Sequence, residues 1–216
     1  MAATGGRRNG DREVAGAIQT EIPVRRIVVC TNVSLDGVMQ APARADEDRR
    51  NGFENGGWAT PYAAMTQVGH VFAEADALLL GRRTYEDFYN VWPKRTESPF
   101  TPWLNGIRKY VVSRTLADPL PWVNSVLLKG EATARVKPLK AETGRDILVM
   151  GSGALVRSLM DAGMIDEYVL LIHPLILGSG TRLFDDRTTR ANLSLVGSTA
   201  TANGVVIATY RHHATA

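Results

Sequence analysis

Cysteine is nearly absent from this 216-residue chain, and the single one, Cys30, lies in an apolar run. One thiol can neither close an intramolecular disulfide nor supply a cysteine-based zinc centre, so Cys30 is expected to be a small core residue in a reducing compartment. Long hydrophobic runs are missing as well. The best candidate, MIDEYVLLIHPLIL, is cut by Asp166, Glu167 and His173 and falls short of the roughly 18 apolar residues that a membrane helix needs. No apolar segment follows the basic N-terminus as it would in a secretion signal, so the reading is a cytoplasmic protein with no membrane partner. Charge of one sign is also scarce, with 25 Lys plus Arg against 22 Asp plus Glu. Residues 1–26 alone hold five arginines against three carboxylates, which leaves the remainder near neutrality despite an isoelectric point of 9.2. Such a body lacks the concentrated positive field that a duplex requires, and no nucleic-acid partner is expected.

Several catalytic signatures are missing too. The chain has no G-x-x-x-x-G-K-[ST], H-E-x-x-H or G-x-S-x-G element, which removes the commonest NTPase, zinc-protease and hydrolase readings. His173, His212 and His213 have no further ligand at metal spacing, so no metal site is expected.

What is present reads as one globular domain, with 44% apolar and 22% charged residues. Residues 1–23, rich in Gly, Ala, Thr and Arg and without periodicity, read as a disordered tail, and 24–216 as a single domain. IVVCTNV after Arg26 is a buried strand, and the polar stretch from Asp36 to Gly57 is a loop long enough to be functional. Thr60 and Pro61 start a helix whose Tyr62, Met65, Val68 and Phe72 recur at steps of three and four, to about Ala75. ALLLG is a second strand, and Thr84 with Asp87 makes a capping-box-like start for YEDFYNVW. KYVVSR, VNSVLLK and DILVM are further strands. ATARVKPLKAE is weakly helical, with a break expected at Pro138. Gly151–Gly153 open a helix with Leu155, Val156, Leu159 and Met160 on one face and Gly163 as its C-terminal cap. EYVLLIHPLIL is a sixth strand, and LSLVGSTAT pairs with VVIATYRHH across Asn203 and Gly204 as a hairpin. Strands alternating with helices predict an α/β sandwich. Its mostly parallel, twisted sheet has about eight strands, helices on both faces and an antiparallel C-terminal hairpin.

In such a sheet ligands bind beyond the carboxyl ends of the strands. After Met150, GSGAL presents free backbone N–H groups at a helix N-terminus, where a pyrophosphate is favoured, although Val156 replaces the third glycine of a dinucleotide fingerprint. Arg82 and Arg83 follow the second strand, and Ser113 and Arg114 end its neighbour. Guanidinium forks beside a glycine turn suit a doubly anionic group such as the 2′-phosphate that separates NADPH from NADH. Asp36, in SLDG, is either a turn residue or a group that orients the nicotinamide or substrate or relays a proton, the last requiring a site that raises its pKa. Trp58 either covers a cofactor ring or anchors the long loop in the core.

Taken in order, these motifs resemble the dihydrofolate reductase superfamily, in the branch of the reductase domain of the bifunctional riboflavin-biosynthesis deaminase-reductase. The resemblance runs from about Arg26 to His212 through SLDG, WATP at Trp58, LGRRTYE at Leu80, VSR at Val112, GSGALVRSLMDAGMIDEY at Gly151 and PLILGSGTRLF at Pro174. It implies a dihydrofolate reductase-like three-layer sandwich and an NADPH-dependent reductase that passes hydride to a small heterocyclic substrate. By the same resemblance, Gly81, Arg82, Arg83 and Thr84 hold the adenosine-side phosphates, and Ser113 and Arg114 the 2′-phosphate. Gly151, Ser152, Gly153, Ala154 and Leu155 cradle the pyrophosphate, Val33 and Trp58 lie near the nicotinamide, and Asp36 is the catalytic candidate. A homodimer is implied as well. Two substrate contacts of the riboflavin enzyme differ, with Val149 in place of a glutamate and Gly56 in place of a serine. The first expected activity is 5-amino-6-(5-phosphoribosylamino)uracil reduction. Alternatives are a pterin, folate or xenobiotic carbonyl reductase and, in another class, a non-catalytic NADP-binding module.

Overall fold

In a computed structural model, the structure describes residues 25–212 together with Met1 and Ala2. The expected tail, all but its first two residues, lies outside the described residues, as does the end of the last expected strand at His213. Eight strands form one sheet: β1 (Ile27–Ser34), β2 (Ala75–Gly81), β3 (Arg108–Ser113), β4 (Ser125–Lys129), β5 (Asp146–Val149), β6 (Glu167–His173), β7 (Leu193–Ala200) and β8 (Val206–His212). Their order is β4-β3-β2-β5-β1-β6-β8-β7. The first six pair in parallel, whereas β6/β8 and β7/β8 are antiparallel. The expected sandwich and its C-terminal hairpin are therefore both present.

The β-branched, apolar runs explain why the centre of this sheet is buried on both faces. On β1, Ile27 and Val29 point into one core with Leu155, Val156 and Leu159, while Val28 and Cys30 point into the other with Phe72, Tyr85 and Leu104. Helices α1 (Gly69–Glu74), α2 (Arg82–Val91) and α3 (Phe100–Gly106) contribute to the second core, and α4 (Ala132–Ala141) and α5 (Gly153–Asp161) to the first. Cys30 is buried and apolar in its surroundings, which pushes its thiol up to about 12.

Three local expectations are corrected, and one helix had not been expected. The helix expected from Thr60 to Ala75 is two short 3-10 turns and then α1, because Ala63 adopts a left-handed φ of 48° that no continuous helix accommodates. Helix α2 begins at Arg82, not at Thr84, with Gly81 as its N-cap, and Asp87 is drawn to Arg44 of the long loop at 2.5 Å instead of closing a capping box. Pro138 lies inside α4 without ending it. The proline and Ala134, whose carbonyl loses its helical partner, are both exposed to solvent, while buried Val136 and Leu139 hold the helix to the core. Helix α3, which has Pro102 in its first turn and Gly106 at its end, gave no helical signal; stacking of Phe100 on Trp103 at 4.9 Å seats it. Gly163 does cap α5, at φ 63°, with its N–H on the Met160 carbonyl and the Met164 N–H on Leu159.

Candidate functional site

Because β1 to β6 run in parallel, their carboxyl ends share one edge, and a cleft of about 850 Å³ opens there. Three helices present their N-termini to it: α2 after β2, α4 after β4 and α5 after β5. Their N-cap residues, Gly81, Glu131 and Ser152, make no side-chain capping bond, so first-turn N–H groups remain for a ligand. The lining includes seven arginines against three carboxylates, which makes the cleft cationic.

The strand-to-helix turns pack against each other closely. A Cβ on Gly81 would collide with Ser152 Oγ, and one on Gly151, which has a φ of 131°, would meet Thr84 Oγ1 at 3.5 Å. This is the kind of cradle in which backbone can approach a phosphate.

The cleft brings together Gly81, Arg82, Arg83, Ser113, Arg114, Ser152, Gly153, Ala154 and Leu155. Arg82 pairs with Glu86 at 3.0 Å, and Arg114 with Glu131 at 2.5 Å, both on the surface. Such exposed pairs are weak and can be exchanged for a phosphate. Arg83 has no partner among the described residues. Ser113 Oγ accepts the Thr115 and Leu116 N–H groups at 3.1 and 2.9 Å, so its hydroxyl also shapes the turn after β3. Thr84 and Gly151 stand beside the lining without being part of it.

Val33, Asp36 and Trp58 are placed elsewhere. Val33 is buried in the core under α5. Of the two readings of Trp58, its geometry is that of the loop anchor: its indole is buried, donates to the Gln40 carbonyl at 2.7 Å and meets the His173 ring edge-on at 5.2 Å. With Val38, Ala41 and Phe53 it forms a small core that anchors the loop.

Asp36 is engaged within the protein as well. Its carboxylate accepts from Ser34 Oγ at 2.6 Å and from the Leu177 and Gly178 N–H groups at 3.1 and 2.9 Å. These bonds, the Ser34 hydroxyl foremost, hold its pKa down at about 2, the opposite of what a proton donor near neutrality needs.

Two features had no local signal. Gln40 is a buried hub: Nε2 donates to the Asp48 and Arg50 carbonyls, both at 3.1 Å, and Oε1 accepts from Thr181 N–H at 2.8 Å and Thr181 Oγ1 at 2.9 Å. It thereby ties the loop after β1 to the segment after β6, and both line the cleft. The second is Arg157 on α5, which reaches the Arg182 carbonyl at 3.2 Å across the cleft wall. The long loop itself, expected to be functional, supplies Arg50 and Phe53 to the lining.

No helix among the described residues is long and apolar enough to cross a membrane. Two Bacillus subtilis (strain 168) proteins, both uncharacterized, are similar in sequence. YyaP is 29% identical over 193 residues, covering 86% of this chain and 94% of that one, and YwjB is 29% identical over 174 residues, covering 81% and 91%.

Among solved structures the likeness is one of fold. A pyrimidine reductase-like protein from Corynebacterium diphtheriae superposes with TM-score 0.60 at 15% identity, covering 88% of this chain and 93% of that one. Enterococcus faecalis dihydrofolate reductase complexed with NADP(H) gives 0.56 at 11%, covering 87% and 96%. A diaminohydroxyphosphoribosylaminopyrimidine deaminase/5-amino-6-(5-phosphoribosylamino)uracil reductase from Thermotoga maritima gives 0.58 at 15%, covering 88% of this chain and 57% of that one. With the RibD C-terminal domain model matching residues 25–207, the chain belongs to the RibD C-terminal domain family.

Proposed function

We propose that this protein is an NADPH-dependent reductase that delivers hydride to a small heterocyclic acceptor, with a uracil derivative of riboflavin biosynthesis as the first candidate. The observation that carries this reading is the convergence of three uncapped helix N-termini and an arginine rim on one cleft at the carboxyl edge of the sheet. That donor set fits a dinucleotide: backbone N–H groups of Gly153, Ala154 and Leu155 for the pyrophosphate, and the guanidinium groups of Arg82, Arg83 and Arg114 for a further phosphate. The family and the reductases named among the neighbours support it. A bound reduced nicotinamide supplies the hydride; the protein binds, orients and shields it.

In this reading Asp36 and Gln40 are positioning residues. By fixing the segments after β1 and β6 against each other they hold the wall of the cleft, and the low pKa of Asp36 keeps its clamp intact throughout the neutral range. The free edge of β7, with Leu195 and Val196 exposed, supports a homodimer. Titration of the protein with NADPH and NADH, followed by quenching of its four tryptophans, tests the cofactor assignment. Saturable binding with strong preference for NADPH is expected, and failure to bind either nucleotide overturns the reading.

A further inference from the structure

We propose that Asn32, oriented by His173, is the hydrogen-bond donor that holds a carbonyl oxygen or ring nitrogen of the acceptor at the carboxyl end of β1. This rests on the reductase reading above and names the group that recognises the second substrate.

Asn32 and His173 lie side by side on β1 and β6, near the end of the parallel register that pairs Ser34 with His173. Alternation along β1 turns Asn32 to the same face as Val28 and Cys30, away from the core beneath α5. The imidazole of His173 is fully buried, and its Nε2 lies 2.8 Å from Asn32 Oδ1. Trp58 and Tyr62 both meet the ring edge-on, at 5.2 and 5.0 Å, and so fix its plane. No carboxylate stabilises a charged form, and burial lowers the pKa of this histidine to about 4, which keeps it neutral.

A neutral ring in this setting has one favourable tautomer. A buried N–H without a partner is rarer and costlier than an unpaired acceptor, so the proton resides on Nε2 and is donated to Asn32 Oδ1. Nδ1 is left as the buried acceptor that has no partner among the described residues. The Asn32 amide cannot then flip. Its Oδ1 faces His173, and Nδ2, which makes no hydrogen bond among the described residues and is not among the buried unpaired atoms, is left open to solvent.

The hydroxyl of Tyr62, whose ring packs on His173, has no partner among the described residues either. Tyr62 is held in place from behind, where its carbonyl accepts from Asn203 Nδ2 of the β7–β8 hairpin at 3.3 Å. A fixed amide donor near the end of a central strand, on a histidine packed between two aromatic rings, suits a flat ring that carries acceptor atoms on its edge. An apolar or purely hydrogen-bond-donating ligand would leave the amide unpaired.

The test uses lumazine, a planar pteridinedione, titrated calorimetrically into the full chain with and without saturating NADP⁺, alongside separate titrations with NADPH. Asn32→Asp keeps the inner bond to His173 but replaces the outward donor with an acceptor. It is expected to weaken lumazine binding at least tenfold while NADPH affinity stays within twofold. His173→Phe keeps the ring packing but frees the amide, giving a smaller loss, and His173→Gln, which restores an N–H donor, recovers part of it. That rescue is not expected of a residue that only fills space.

Melting temperatures show which variants fold, and Tyr62→Phe, which removes one exposed hydroxyl, serves as the mildest probe. Intact NADPH binding with equal lumazine affinity in the unaltered and Asn32→Asp proteins overturns this assignment, as does a failure of the unaltered protein to bind lumazine. Loss of NADPH binding with discrimination at Asn32 preserved overturns the reductase reading and keeps the site.

Discussion

The two sides of the cleft handle polar groups in opposite ways. On the arginine rim, Arg83 has no partner among the described residues, Arg82 and Arg114 hold only exposed carboxylates, and three helix N-termini lack side-chain caps. On the opposite wall and behind it, Gln40, Asp36 and Trp58 spend their hydrogen-bonding capacity within the protein. A binding surface and its scaffold thus differ less in composition than in which donors and acceptors are already satisfied. Free donors can be used by an anion, whereas satisfied ones maintain shape.

The sharpest way to break this contrast is Trp58→Ala. If Trp58 belongs to the scaffold, the substitution lowers unfolding free energy by about 3–5 kcal/mol in urea titrations, while the folded protein still binds NADPH. Unchanged stability with weakened NADPH binding would move Trp58 to the binding side. Next in size is the pair Arg83→Ala with Arg114→Ala. At about 1.5 kcal/mol for each charge-assisted bond, the double variant is expected to bind NADPH roughly a hundredfold more weakly. NADH affinity and melting temperature should hardly change, and an unaltered NADPH-to-NADH ratio would show that the rim is only solvated surface.

A third expected effect concerns acid, and it separates two scaffold groups. His173 has a pKa lowered from 6.5 to about 4 by burial, so the unfolded chain takes up its proton first, and the stability tied to the neutral ring is lost as pH falls through that window. Asp36 is depressed from 3.8 to about 2, so its contribution is complete above the unfolded value and is lost only as pH falls further, towards 2. Stability measured against pH should therefore fall in two steps, the upper one absent in His173→Phe and the lower one absent in Asp36→Asn.

Much of the fold was legible because its signals are local. The β-branched runs, the glycine turn after β5 and the Asn-Gly hairpin each identified their element within a few residues, although the hairpin closes through a wider loop than two residues, with Thr201 N–H on the Val205 carbonyl. The rim was legible for the same reason, since Arg82, Arg83 and Gly151–Leu155 immediately follow strand ends. Helix α3 was hidden because aromatic packing, not periodicity, makes it a helix. Gln40 was hidden because a glutamine in a polar loop resembles any other until its partners are known.

The sequence by itself determined the succession of strands and the carboxyl edge on which a ligand would lie, because hydrophobic alternation and chain-turning residues act over a few positions. Only the tertiary structure decided which polar groups there are free. Asp36 meets Leu177, Gln40 meets Thr181 and Asn32 meets His173, each across 141 positions of sequence. A hydrogen bond satisfied over that distance is set by the register of β1 against β6, which no local pattern encodes.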